Sequence, residues 1–229
     1  MARPELMVAI VGASRGLGLG LATEFLRRGA RVIGTVREPA GGSGLHALVG
    51  SADGRLEIET ADVTDGEGIA ALRQRLARRR LDVLMVNAGV AGGDAQGYEE
   101  AFFRTMTVNV LGVMNVVRTL SVLMADNGAL AVMSSGLGSV GRNSSGGMEP
   151  YRSSKAALNQ SLRSFAAEHA DAPWSTTAIA PGWVRTDMGG PGAPLDVETS
   201  CRGVADVLES RLGGRGCAFL DYRGEVIPW

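Results

Sequence analysis

"LMVAIVGASRGLGLG", residues 6–20, runs from six apolar residues directly into a turn with four glycines in nine positions. The apolar run Leu6–Val11 is short, lacks a small-residue cleavage site and reads as a first strand, not a leader peptide. The turn after it does not match the dinucleotide fingerprint GxGxxG, because starting the pattern at Gly16 and Gly18 would require a small residue where Leu21 stands. The spacing present is Gly12-x-x-x-Gly16-x-Gly18. Its physical use can be the same. Residues without Cβ let the backbone turn tightly and approach a pyrophosphate, whose charge is met by the N-terminus of the following helix.

Outward from this turn, short β-branched runs alternate with longer helical patterns, the mark of βαβ units and a parallel sheet covered on both faces. Strands are expected at Leu6–Val11, Arg31–Thr35, Leu56–Thr60, Leu81–Val86, Leu130–Ser134, Ser175–Ile179 and Ala218–Leu220. Helices are expected at about 17–28, 66–79, 100–124, 151–169 and 197–212. The fold class is therefore α/β, a Rossmann-type doubly wound parallel sheet of about seven strands. With 229 residues, 45% of them hydrophobic, and no linker-like tract, the chain reads as one domain over 1–229 that combines dinucleotide and substrate sites. A Gly/Ser-rich loop, "GSVGRNSSGG", occupies 138–147.

A formal net charge of −1 gives no footprint of a nucleic-acid or anionic-membrane binder. The basic run "RQRLARRR" at 73–80 reads as the solvated face of a helix whose apolar positions are Ile69, Leu72 and Leu76. Cys201 and Cys217 are too few for a disulfide scaffold and fit a reducing cytoplasm. The greasy segment Val108–Met124 is interrupted by Asn109, Asn115 and Arg118 and reads as a core helix, not a membrane span. His46 and His169 have no ligand spacing to each other or to the cysteines, so no metal site is expected.

The end of the second strand bears on which dinucleotide would bind. An acid there accepts ribose hydroxyls, whereas basic side chains accommodate a 2′-phosphate. The stretch is Thr35-Val36-Arg37-Glu38, and Arg15 adds a second guanidinium inside the glycine turn. Glu38 competes as a ribose acceptor but falls after Arg37 and just before Pro39, in the loop. NADP(H) is the expected cofactor.

Of the 23 basic residues only Lys155 is a lysine, and it lies four residues beyond Tyr151 in "YRSSK". That spacing puts both on one helical face. A phenol titrates near 10 and is a poor acid or base at neutral pH, but a fixed ammonium nearby favours the phenolate. A compact ammonium can also donate to ribose hydroxyls, which the planar fork of arginine cannot do from the same place.

On these motifs the chain resembles the classical short-chain dehydrogenases/reductases over its whole length. The resemblance extends to "NAG" at 87–89, Asn109, "SSGLG" at 134–138, Asp62-Val63 in "ADVTD" and "PGWVRT" at 181–186. More narrowly, "SSGLGS…YRSSKAALN", "PGWVRTDMGG…APLDV" and the closing "DYRGEVIPW" resemble a C-factor-like branch of carbonyl reductases. The resemblance implies a catalytic set of Asn109, Ser135, Tyr151 and Lys155. Tyr151 would protonate the carbonyl oxygen as hydride arrives, Ser135 would hold that oxygen, Lys155 would tune the phenol and grip the ribose, and Asn109 would anchor a water relay. Cofactor contacts are implied for Gly12, Ser14, Arg15, Gly16, Leu17 and Gly18 in the turn and for Arg37, Asp62 and Val63 at the adenosine end. They continue with Asn87, Gly89, Tyr151, Lys155, and Pro181, Gly182, Val184 and Thr186.

Against the family pattern, Val11 replaces a common threonine and Val86 an asparagine. Ser135 precedes Tyr151 by sixteen positions, a little more than usual, which leaves Ser134 and Ser139 as competitors; the following x-x-Gly favours Ser135. The expected function is NADPH-dependent reduction of a ketone or aldehyde. The alternatives are a dinucleotide-binding regulatory or signalling protein with little turnover, and a halohydrin lyase, which would have lost the glycine turn and the lysine. The segment "DMGGPGAPLD" at 187–196 would form much of the substrate wall without revealing the substrate. The 100–124 helix is apolar almost all round and needs cover on two sides. A homodimer or homotetramer is therefore expected, as in the family's paired-helix assemblies.

Overall fold

A computed structural model describes residues 5–38, 42–93 and 95–229. Seven strands, β1 (Met7–Val11), β2 (Arg31–Val36), β3 (Leu56–Thr60), β4 (Leu81–Val86), β5 (Met124–Met133), β6 (Ser175–Ala180) and β7 (Cys217–Asp221), form one sheet. Its order is β3-β2-β1-β4-β5-β6-β7, and every neighbouring pair is parallel. The chain reverses its direction of travel across the sheet between β1 and β4. Loops leaving these two strands diverge there and open a crevice at their carboxyl ends.

The helices divide between the two faces. On one, α1 (Gly16–Arg27), α2 (Gly44–Ala47) and α7 (Val197–Ser210) pack on a core containing Val8, Ile10, Leu21, Phe25, Met85 and Ile179. On the other lie α3 (Gly66–Arg75), the composite helix α4 (Tyr98–Met106) to α5 (Val113–Leu120), and α6 (Glu149–Glu168). Each buries a helical stripe: Leu21 and Phe25 on α1, and Leu158, Leu162 and Phe165 on α6, are almost fully enclosed. Truncating one such phenylalanine to alanine costs about 3–5 kcal/mol.

Two differences from the expected boundaries have local causes. The strand expected to begin at Leu130 begins at Met124, because Leu81 pairs with Met124 and Val83 with Ala129, so the residues between them loop out of register. A Cβ at Gly128 would come within 2.6 Å of Met124 Cε and 3.1 Å of the Asp82 carbonyl, so this detour needs glycine. The long helix accordingly ends at Leu120 with a short 3-10 turn, Ser121–Leu123, and it contains a π-helical segment, Thr107–Gly112. The basic run is exposed at Arg73, Arg75, Arg78 and Arg80, but Arg75 and Arg79 also bond the β3 carboxylates Glu59 and Glu57 at 2.7 and 2.8 Å.

By length and composition, Tyr98–Leu123 could cross a membrane. Here Val110, Val113, Val116, Val117 and Leu120 pack into the core, while Phe103, Leu111 and Val122 are more than half exposed on the opposite side. His46 bonds Ser43, and His169 stacks on Phe165 with ring centres 4.2 Å apart.

Candidate active site

The glycine turn leaves β1 along a path that side chains would block. Gly12 has φ +91°, and a Cβ there would lie 2.9 Å from the Ala88 nitrogen. A Cβ at Gly18 would lie 2.0 Å from the Gly12 carbonyl oxygen and 2.7 Å from Asn87 Nδ2. The turn is held by Asn87 Nδ2 donating to the Gly12 carbonyl at 2.8 Å, and by the Gly12 N–H donating to Thr35 Oγ1 at 3.0 Å. Sequence reasoning missed Thr35, whose hydroxyl supports the turn from β2 in a protein with Val11 before the first glycine.

Helix α1 begins at Gly16 with no side-chain cap from Arg15 and no acid in its first turn. Its first N–H groups and the positive end of its dipole are thus available to an anion. Ser14, Gly16 and Leu17 are partly exposed along this rim. Across it, the point where a Gly16 Cβ would sit is 3.7 Å from Thr186 Cγ2. Arg15 reaches further, its Nη1 donating to Asp187 Oδ2 at 2.8 Å with both side chains largely exposed.

Arg15 therefore faces the loop after β6 in this structure, while Arg37 lies with Asp62 in the wall of a cavity of about 480 Å³. The Asp62 carboxylate accepts from the Thr64 hydroxyl at 2.7 Å and its N–H at 2.8 Å. Those bonds, with a smaller contribution from the Arg37 charge, hold its pKa below the usual carboxylate value. Glu38 follows the end of β2 and lies outside the strand; Pro39 lies outside the described residues. Val63 is buried against the composite helix, where a Gly112 Cβ would approach Val63 Cγ2 within 2.8 Å.

The expected catalytic residues meet around α6. The Ser135 hydroxyl faces the Tyr151 phenol closely enough to act on its titration. Burial pushes that phenol above its ordinary pKa, with the serine contact acting in the opposite direction. The phenol thus sits above its free value, whereas the sequence suggested that Lys155 would bring it down. Lys155 is itself buried, 3% exposed, and its Nζ donates to the Met133 carbonyl at 2.8 Å. Its Nζ lies 5.8 Å from the Tyr151 ring centre. Burial lowers the ammonium's pKa to about 8, because the charged form loses hydration that one carbonyl cannot replace.

Asn109, fully buried in the π-helical segment, accepts from the Val90 N–H at 2.8 Å and donates to the Val90 carbonyl and Ser154 Oγ, each at 2.9 Å. A Cβ on Gly89 would lie 3.2 Å from Asn109 Oδ1 and 3.3 Å from Lys155 Nζ, so this glycine leaves both polar atoms room. π-Helical turns often occur at functional sites because their extra residue re-aims a side chain.

The three candidate serines differ in burial and in partners. Ser134 and Ser139 are each 1% exposed. Ser134 Oγ donates to Asn159 Oδ1 at 2.6 Å and Ser139 Oγ to the Pro228 carbonyl at 2.5 Å. Ser135 alone of the three acts on the Tyr151 phenol, and its oxygen accepts the Leu137 N–H at 3.1 Å. After β6, Pro181 is held by Ser200 Oγ at 2.7 Å and Gly182 has φ +84°, where a Cβ would meet Leu195 Cδ1 at 2.4 Å. Val184 is buried beside its bridge partner Leu195, and Thr186 Oγ1 accepts from the Gly189 N–H.

Sequence reasoning also missed Ser154, Asn159 and Asp187. The first two carried a usable signal, since Asn159 stands four residues after Lys155 and eight after Tyr151 on the same helical face. Asp187 carried none beyond its place in a turn-rich loop.

The short chain dehydrogenase family model matches residues 6–193. A Burkholderia multivorans structure with bound NADP, assigned to the short-chain dehydrogenases/reductases, has 48% identity and a TM-score of 0.95, covering 99% of this chain and 100% of that one. A carbonyl reductase from Pseudomonas aeruginosa PAO1 in complex with NADP has 40% identity and a TM-score of 0.89, covering 98% and 100%. Among curated relatives, the C-signal of Myxococcus xanthus is 39% identical over 157 residues, 65% of this chain and 93% of that protein. With its seven-stranded parallel sheet, its glycine turn at the β1/β4 crevice and this family match, the chain belongs to the short-chain dehydrogenases/reductases.

Proposed function

We propose that this protein is an NADP(H)-dependent reductase that converts a ketone or aldehyde to an alcohol, with Tyr151 as proton donor. The observation that carries this reading is the pairing of Ser135 with the Tyr151 phenol beside a buried Lys155, which donates to the Met133 carbonyl at the end of β5, on the same carboxyl edge of the parallel sheet as the glycine turn after β1. The NADP-bound relatives support the choice of cofactor.

The residues fit a dinucleotide. The Gly12 and Gly18 positions leave no space for a side chain, and α1 offers uncapped N–H groups beside them to a pyrophosphate. Arg37 lies beyond the end of β2, where a 2′-phosphate would need a cation, with Asp62 and Val63 flanking the adenosine end. Asn87 keeps the turn in shape, Gly89 opens space beside Lys155, and Pro181 through Thr186 close the opposite wall. When bound, NADPH supplies a hydride.

Everything else in the reaction falls to the chain. Ser135 and Tyr151 hold the carbonyl oxygen between two hydroxyls and so favour the charge that develops on it. Burial keeps Tyr151 protonated at neutral pH, the state a proton donor requires, and its proton passes to that oxygen. Lys155, fixed by the Met133 carbonyl, has two ammonium hydrogens left for ribose hydroxyls. Asn109, rigidly bonded to Val90 and Ser154, presents its Oδ1 close to Lys155 Nζ, where a water could pass protons onward.

The similarity to a C-signal protein favours, as a second reading, a regulator that binds the dinucleotide with little turnover. The retained Ser135 and Tyr151, set against each other, argue for turnover, since nucleotide binding alone does not need the pair. The two readings separate in a screen of ketones, aldehydes and quinones followed by NADPH absorbance. The reductase reading expects turnover that Tyr151→Phe abolishes while NADPH affinity stays within a few-fold; tight binding without turnover of any carbonyl class would favour the regulator.

One domain carries both sites in this reading, and the free, wholly or partly buried Cys201 and Cys217 suit a cytoplasmic location. Phe103, Leu111 and Val122, which the chain itself leaves uncovered, support pairing of subunits through the composite helix.

A further inference from the structure

We infer that Asn159 is a positioning residue that sets Ser135 against Tyr151 by holding the chain on both sides of that serine. This rests on the reductase reading and adds to it a residue that touches neither substrate nor cofactor.

The carboxamide of Asn159 is 3% exposed on α6, one turn beyond Lys155 and two beyond Tyr151. Its Oδ1 accepts from Ser134 Oγ at 2.6 Å, immediately before Ser135. Its Nδ2 donates to the Gly138 carbonyl at 3.4 Å, three residues after Ser135. One side chain therefore spans the short 3-10 turn Gly136–Gly138 that Ser135 caps. The same turn is pressed onto α6 at a second point, where a Gly138 Cβ would lie 2.9 Å from both the backbone carbon and Cβ of Lys155.

The consequence is geometric. Tyr151 and Lys155 are positioned by belonging to α6, and Asn109 by its bond to Ser154 on that helix. Ser135 belongs to a loop after β5, followed by a long Gly/Ser-rich segment, so its place relative to the phenol depends on the side-chain ties that dock this loop on α6. Two hydroxyls that share one carbonyl oxygen must be held to within about 0.5 Å to act together. Asn159 ties the loop to the helix that carries the other partner. Asparagine is suited to this because it provides an acceptor and a donor on one rigid plane, and the buried Ser134 hydroxyl and Gly138 carbonyl require one of each.

The test is a double-mutant cycle read in two ways. Asn159→Ala should lower kcat about 10- to 100-fold with NADPH Kd unchanged within about threefold, and in a Ser135→Ala background the same change should lower kcat no more than about twofold further. Independently of any substrate, the Tyr151 phenol followed by 13C-tyrosine NMR, its signal assigned with Tyr151→Phe, should titrate higher in Asn159→Ala, as it should in Ser135→Ala. Ser134→Ala removes only one of the two ties and should shift both readouts in the same direction by less, which keeps the test usable if Asn159→Ala folds poorly. An Asn159→Ala loss as large in the Ser135→Ala background as in the native one, or an unmoved Tyr151 titration in both Asn159→Ala and Ser134→Ala, overturns the inference. A silent Ser135→Ala would instead overturn the reductase reading of Ser135, so the two failures are distinguishable.

Discussion

The Lys155 ammonium donates to the Met133 carbonyl at 2.8 Å while lying 5.8 Å from the centre of the Tyr151 ring, so a strand end and a helix face grip the same nitrogen. A guanidinium has neither the compactness nor the free rotation to fill this 3%-exposed position and still present hydrogens to a ribose. Lys155→Arg should therefore lose most activity and weaken NADPH binding although it conserves charge. Because burial holds the lysine near 8, its charge is lost as pH rises through that value, and arginine would keep its charge there. Any residual activity of the variant should lack the alkaline fall near pH 8. A pH–rate profile identical to that of the native protein would contradict this.

Ser135 and its neighbours predict a graded series. Ser135→Ala should cost about 10²–10³ in kcat, the scale for losing one donor to a developing oxyanion. Ser139→Ala should act mainly on stability, since its hydroxyl is committed to the Pro228 carbonyl. Steady-state kinetics and thermal melts of the two variants check the order.

Cofactor choice should depend on Arg37 and on what Arg15 is doing. NADPH is expected to bind at least tenfold more tightly than NADH, about 1.4 kcal/mol, with Arg37→Ala removing most of the difference. Asp187 occupies Arg15 at the rim through an exposed pair, a class worth about 0.2–1 kcal/mol. Asp187→Asn should free Arg15 and strengthen NADPH binding up to about fivefold, with little change for NADH. Calorimetric titration with both cofactors reads each ratio.

Acid stability should report Glu24, which ties α1 to α7 through Arg28. Glu24 accepts from Arg27 and Arg28 at 2.8 Å, and Arg28 reaches Asp206 at 2.8 Å and Glu209 at 3.1 Å. The Arg27 hydrogen bond is the largest influence holding the Glu24 carboxyl down at about 2, against 4.5 when free. A depressed acid contributes stability above its unfolded pKa and loses it as pH falls through the folded one. Glu24→Gln should thus be less stable than the native protein at pH 7, and the gap in denaturant midpoint should close between pH 4.5 and about 2. A gap that stayed constant over that range would refute the assignment.

Self-association should respond to Leu111, 68% exposed on the outer side of the composite helix. Leu111→Glu should reduce the sedimentation mass toward that of a single chain while leaving the far-ultraviolet circular dichroism unchanged. An unaltered mass would place the subunit contact elsewhere.

The alternation of short β-branched runs with helical patterns determined the parallel sheet, and the glycine spacing after β1 located the turn. Periodicity within one helix placed Tyr151 and Lys155 together. These relations are local: they arise from chain geometry over a few residues, which residue order alone specifies. The x-x-Gly after Ser135 already favoured it over Ser134 and Ser139, but only the tertiary structure gives those two their other partners, Asn159 and Pro228, from 25 and 89 residues away. The tertiary structure also decided that Arg15 reaches Asp187, 172 residues on, and that Asn109 meets Ser154, 45 residues on. Such contacts depend on sheet register and helix packing, where one displaced strand or a few extra residues, as the three between Met124 and Ala129, change every partner downstream.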